Sequence, residues 1–161
     1  MKNKNVHAVG GMPIVESRKK SLGIYVHIPF CRSKCEYCDF YSLGGSRDRR
    51  TTDQYLQALA DHIRETGRLA PDYTVDTVYF GGGTPSYLGA DRLCRILETV
   101  CAHYRVDKNA EITTEANPDS AREVSALRQL REAGFNRISL GMQSASDDEL
   151  RLIGRVHTHK E

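Results

Sequence analysis

The chain has 161 residues, 39% of them apolar and 27% charged, with 23 basic against 21 acidic side chains and a formal net charge of +2. That balance gives no reason to expect a nucleic-acid or membrane partner. No apolar run approaches the roughly 18 to 20 residues that a membrane-spanning helix needs, so no membrane span is expected. The size suits one globular domain with a core of its own.

Residues 1–20 are polar and lack an apolar leader core, which predicts a flexible lead-in, a folded part over 21–161 and a cytoplasmic location. The short basic runs Arg18-Lys19-Lys20 and Arg47-Asp48-Arg49-Arg50 read as solvated loops. Thiols stay reduced in the cytoplasm, so the five cysteines point first to metal binding or redox chemistry.

Leu22 to Ile28 is rich in β-branched and aromatic residues and stops at Pro29, a buried strand. Tyr55, Leu56, Leu59 and Ile63 recur at helical spacing, predicting a helix over about 52–66 capped by Thr51 or Thr52. Thr77 to Phe80 reads as a second strand running into Gly81-Gly82-Gly83-Thr84. A helix is expected over Asp91–His103, with Leu93, Ile96, Leu97, Val100 and Cys101 inward. Ala110 to Ala116 is a third strand, stopped by Asn117-Pro118. Ser120 to Ala133 follows as a helix with Val124, Leu127 and Leu130 inward and Gly134 as its C-cap. Arg137 to Met142 is a fourth strand, and Asp147 to Leu152 opens a fourth helix.

Strands alternating with helices imply an α/β fold with a parallel sheet and crossover connections. Chemistry in such sheets gathers beyond the C-terminal strand ends. The unusual residues fall there. Cys31, Cys35 and Cys38 follow strand one, the glycine run follows strand two, Glu115 closes strand three, and Gln143 follows strand four.

Cys31-Arg32-Ser33-Lys34-Cys35-Glu36-Tyr37-Cys38 is a CxxxCxxC loop. Soft thiolates suit an iron–sulfur cluster or zinc. Structural zinc takes four ligands, and no second paired-cysteine motif supplies a fourth; His27 could do so in principle but sits in a strand. An iron–sulfur cluster is the favoured reading, with zinc or metal-free thiols as alternatives. Cys94 and Cys101 are seven apart in the second helix and read as small core residues. Three glycines let backbone approach a ligand closely and leave its N–H and C=O groups free to bond it. Strand alternation puts Glu111, Thr113 and Glu115 on one side, and a carboxylate there could accept bonds from ribose hydroxyls. Gln143 could also bond ribose, Arg155 could clamp a carboxylate, and Tyr37 could stack on adenine. Tyr25 could be simple core. The terminal pair His157 and His159 suggests a heme or metal ligand, although an ordinary loop is the plainer reading.

The cysteine loop and its preceding strand resemble the radical S-adenosylmethionine superfamily, and within it the oxygen-independent coproporphyrinogen III oxidase-like family. The resemblance runs from about Gly23 onward through Tyr25 to Cys31, Tyr79 to Ser86, Glu115 to Pro118, Gly134 to Ser144 and Leu152 to Thr158. It implies a partial (β/α) barrel, about four of six β/α units, making this the N-terminal part of a core domain. It implies a 4Fe-4S cluster on Cys31, Cys35 and Cys38, with one iron open to S-adenosylmethionine and a 5′-deoxyadenosyl radical as product. Tyr25, Tyr37, Gly82, Gly83, Thr84, Glu115, Gln143 and Arg155 match the family's S-adenosylmethionine contacts. The true oxidase carries a further cysteine where this chain has Phe40, so the resemblance favours the heme-chaperone branch, with heme as a further ligand. Heme or a porphyrin, a heme acceptor and a reductant such as flavodoxin or ferredoxin are the implied partners. Oxidative decarboxylation of coproporphyrinogen III is the alternative.

Overall fold

A computed structural model of the protein describes residues 20–44 and 48–161. Of the lead-in expected over 1–20, residues 1–19 lie outside the described residues, as do Arg18, Lys19 and Arg47 of the basic runs, while Lys20 already opens the first strand.

Four strands form one parallel sheet in the order β1-β2-β3-β4, spanning Lys20–Ile28, Tyr73–Gly82, Val106–Ala116 and Arg137–Leu140. Helices α1 (Arg49–Gly67), α2 (Ala90–His103) and α3 (Val124–Ala133) cross between successive strands, and α4 (Asp147–Leu152) follows β4. This is the α/β, parallel-sheet architecture that the alternating pattern predicts. Among the described residues no helix is long and apolar enough to cross a membrane.

Alternation along the strands decides which face is dry. Val26, Ile28, Val78, Phe80 and Ile112 point to one side and are buried with Ile63, Leu93, Ile96, Leu97, Val100, Leu130 and Phe135. Phe80 and Phe135 meet with ring centroids 5.1 Å apart. Each Å² of apolar area these side chains remove from water contributes about 25 cal/mol of stability, the main force holding helices to sheet. Tyr25 and Tyr79, on the other face and in register with one another, remain available to the site.

Several local expectations shift. The cap of α1 is Asp48, which accepts from Arg50 N–H at 3.1 Å and the Thr51 hydroxyl at 2.9 Å. Thr51 therefore serves the cap from inside the helix, and Thr52 is buried. The helix expected from Ser120 begins only at Val124. Asn117 and Ser120 form a reciprocal capping box around a 3-10 turn, Pro118–Ser120, which consumes that stretch. Val124 then lies in the first turn and is exposed, not inward. Cys94 is buried as expected, but Cys101 is exposed. Gly134 does close α3 in the left-handed conformation, at φ 116°. The fourth strand ends at Leu140, two residues early, because the chain turns sharply at Met142–Ser144.

Candidate functional site at the C-terminal strand ends

The cysteine loop leaves β1 at Ile28 and is closed at its base. Cys31 N–H donates to the Leu43 carbonyl at 3.1 Å, and Phe30 bridges to Leu43. Within the loop Cys38 N–H donates to the Cys35 carbonyl at 3.0 Å. Arg32 ties the loop to Asp119 at 3.4 Å. All five cysteines are free thiols.

The N–H groups at the end of the glycine run are used differently from expectation. Gly83 N–H donates to the Ile28 carbonyl and Thr84 N–H to the Phe30 carbonyl, both at 2.8 Å, while Gly82 N–H donates to Glu115 Oε2 at 3.2 Å. These N–H groups are spent inside the protein rather than left for a ligand. The glycines are required by packing: a Cβ on Gly82 would lie 2.6 Å from the His27 ring, and one on Gly83 would lie 2.7 Å from the Phe30 carbonyl and 3.0 Å from Cys31 Sγ. Gly82 also adopts φ 114°, which a side chain would strain. The run thus clamps β2 against the cysteine loop.

One pocket of about 340 Å³ lies above the strand ends, within the size range of small-ligand sites. Cys31, Cys35 and Cys38 border it, with Tyr37 and Phe40 from the same loop. Gly82, Gly83, Thr84 and Glu115 border it from β2 and β3, and Gln143 and Arg155 from beyond β4. Ten of the eleven residues singled out in the sequence thus converge. Tyr25 stands apart: it is 57% exposed, not core, stacks on Tyr79 at 6.2 Å, and bonds His27 Nδ1. The other ring nitrogen of His27 faces the Tyr41 carbonyl at 3.2 Å, so this histidine braces the loop.

Arg155 organises the far wall. Its Nη2 donates to Asn117 Oδ1 and to the Gly141 carbonyl, each at 2.7 Å, and its Nη1 lies 3.5 Å from Cys35 Sγ. Asn117 reaches across to donate to the Thr84 hydroxyl at 3.3 Å, and that hydroxyl lies 3.6 Å from Cys31 Sγ. Tyr79 donates to Glu115 Oε1 at 2.7 Å. Burial, then the Glu115 carboxylate, push the Tyr79 phenol above its ordinary value. Burial likewise raises Tyr37, with Cys35 adding to it and Arg155 opposing.

Among the described residues no three metal-ligating side chains gather around a single ion position. The three thiols instead border one pocket, two of them with donors at sulfur. A polynuclear group suits this donor set, because each thiolate binds its own metal and hydrogen bonds to sulfur tune the cluster.

Sequence reading missed Asn117 and Tyr79, and read His157 only as a ligand or loop residue. Asn117 gave a signal in Asn-Pro but reads there as a strand stop. Tyr79 reads as strand filler. The terminal histidines part company: His157 is buried and exposed His159 pairs with half-buried Asp147, so they form no joint ligand set.

The Radical SAM superfamily profile matches residues 25–161. The chain is 41% identical over 141 residues to "Heme chaperone HemW" of Mycobacterium tuberculosis, covering 84% of this chain and 35% of that protein. It is 36% identical over 137 residues to "Oxygen-independent coproporphyrinogen III oxidase" of Salmonella typhimurium, covering 85% and 30% respectively. Its fold matches the solved coproporphyrinogen III oxidase HemN of Escherichia coli, a radical SAM enzyme, with a TM-score of 0.80 and 33% identity over 88% of this chain and 32% of that one. The chain therefore spans about a third of the length of the relatives it matches.

Proposed function

Since this chain belongs to the radical SAM superfamily, we propose that its pocket holds a 4Fe-4S cluster and S-adenosylmethionine, and that the protein is a heme chaperone. The observation that carries the pocket assignment is the convergence of three thiols with Glu115, Gln143 and Arg155 at four adjacent strand ends.

In this reading Cys31, Cys35 and Cys38 ligate the cluster. When reduced, the bound cluster supplies the electron for cleavage of the sulfonium of S-adenosylmethionine. The protein's own part is binding and orientation. Glu115, oriented by Tyr79 and Gly82, presents carboxylate oxygens to ribose hydroxyls. Arg155, held through Nη2 by Asn117 and Gly141 and through one Nη1 hydrogen by Cys35, offers its second Nη1 hydrogen to a carboxylate. Tyr37, half-exposed on the loop, offers a flat apolar face to adenine. Thr84 and Arg155 direct hydrogens at the sulfurs of Cys31 and Cys35.

Phe40 supports the chaperone function over the oxidase. It borders the pocket, is 68% exposed and puts an apolar ring where the oxidase has a further cysteine. Heme and a protein acceptor are then the cargo and the partner, and a small electron-transfer protein is the reductant. The test is anaerobic reconstitution followed by two incubations. Heme should bind, seen as a shift of its Soret absorption, while coproporphyrinogen III with reductant should be left unchanged. Efficient decarboxylation would replace the chaperone function with that of the oxidase, to which a relative's name gives independent support.

A further inference from the structure

His157 takes no part in the reading above, yet it is 3% exposed and sits behind the pocket wall. Its Nε2 lies 3.0 Å from the Met142 carbonyl oxygen. A carbonyl can only accept, so Nε2 carries the hydrogen, and Nδ1 of the neutral ring is an acceptor. That Nδ1 is buried without a protein partner.

The Met142 carbonyl is itself unusual. It also accepts from Ser144 N–H at 2.9 Å, a bond that spans two residues and encloses Gln143 at φ 68°. Gln143 is the one described non-glycine residue with positive φ. A turn of this kind is rare and strained, and persists only where its surroundings hold it. His157 supplies the second donor to the carbonyl that closes the turn.

The other ring nitrogen belongs to a second question. His157, Arg155, Asn117 and Cys35 border a small cavity of about 20 Å³, room for about one water. Arg155 Nε is also buried without a protein partner. Nε–H can only donate and Nδ1 can only accept, so one water can accept from the first and donate to the second.

We propose that His157 is a positioning residue for the S-adenosylmethionine pocket: its Nε2–H holds the strained turn that presents Gln143, and its Nδ1 shares one bound water with Arg155. The proposal rests on the pocket assignment made under Proposed function. The two faces of one imidazole thereby fix two residues that arrive from opposite ends of α4.

Two measurements test it. A crystal structure of the full chain, at a resolution that shows ordered water, needs no cofactor function. It should show one water within hydrogen-bond distance of both Arg155 Nε and His157 Nδ1, with Nε2 on the Met142 carbonyl. A protein group on Nδ1, or a Met142 carbonyl turned away from the ring, overturns the proposal. The second measurement is calorimetric affinity for S-adenosylmethionine after reconstitution. His157→Phe fills the space without hydrogen bonds and should weaken binding about tenfold, the scale of a lost buried hydrogen bond. His157→Gln can still donate to Met142 and should recover to within about threefold of the wild type. Equal binding by His157→Phe and wild type overturns the positioning role, as do equal losses in the two variants, which would mean packing alone. Should His157→Phe not fold, the glutamine variant and the crystal structure decide. Should the wild type bind no S-adenosylmethionine, the pocket assignment falls and the crystal structure alone decides for His157.

Discussion

The Tyr79 hydroxyl donates a 2.7 Å hydrogen bond to Glu115 Oε1 from the neighbouring strand. Gly82 N–H holds the second carboxylate oxygen at 3.2 Å, so the group is fixed in rotation before any ligand arrives. Removing the phenol leaves the carboxylate held on one side only. We expect Tyr79→Phe to weaken S-adenosylmethionine binding about tenfold without loss of fold. Calorimetric titration beside a circular-dichroism melt checks this, and unchanged affinity would remove Tyr79 from the site.

The same contact has an alkaline signature. Burial, then the bond to Glu115, raise the Tyr79 phenol above its ordinary value of 10.0. The native state therefore keeps a proton that the unfolded chain gives up first. That stabilisation is fully present below about pH 10 and is lost as pH rises through the raised native value. Tyr25 and Tyr55 shift in the same direction, each chiefly through burial. Urea unfolding followed up to about pH 11 should show falling stability, with a shallower fall in Tyr79→Phe. Parallel curves for the two proteins would mean that the bond to Glu115 adds nothing.

Asn117 joins the two halves of the pocket, accepting from Arg155 and donating to Thr84. Asn117→Asp keeps the acceptor and loses the donor, whereas Asn117→Leu loses both. Affinity for S-adenosylmethionine should fall by about threefold in the first and by more than about tenfold in the second. Matching losses would assign the effect to volume at this position.

Gln143 carries strain that glycine would relieve. At φ 68°, Gln143→Gly should stabilise the fold by about 0.5–1 kcal/mol while it removes the amide from the pocket. A raised melting temperature together with weaker ligand binding is the expected pair of results. A lowered melting temperature would show that the turn is comfortable for a side chain.

Strand and helix order was legible from periodicity, because Val26, Ile28, Val78 and Phe80 alternate cleanly and Leu93, Ile96, Leu97 and Val100 repeat at helical spacing. The cysteine loop was legible from spacing. Glu115, Gln143 and Arg155 were legible only through position at strand ends and through family resemblance, since each alone is an ordinary polar residue. The helix start near Ser120 was misread because Asn117 and Ser120 close on each other, a reciprocal contact that helix periodicity does not register. Gly82 and Gly83 border the pocket, and packing also requires them, because strand pairing brings His27 and the Phe30 carbonyl against them. Asn117, Tyr79 and His157 act through partners 33 to 38, 36 and 15 residues away, separations that no local pattern encodes.

The central proposal is that Cys31, Cys35 and Cys38 would hold a 4Fe-4S cluster beside an S-adenosylmethionine site in the same pocket. Electron paramagnetic resonance of the anaerobically reconstituted, reduced protein tests it most directly. We expect a signal typical of a reduced 4Fe-4S cluster that changes on adding S-adenosylmethionine and disappears in Cys31→Ala, Cys35→Ala and Cys38→Ala. A signal unaffected by S-adenosylmethionine, or an intact cluster in any of the three variants, would contradict it.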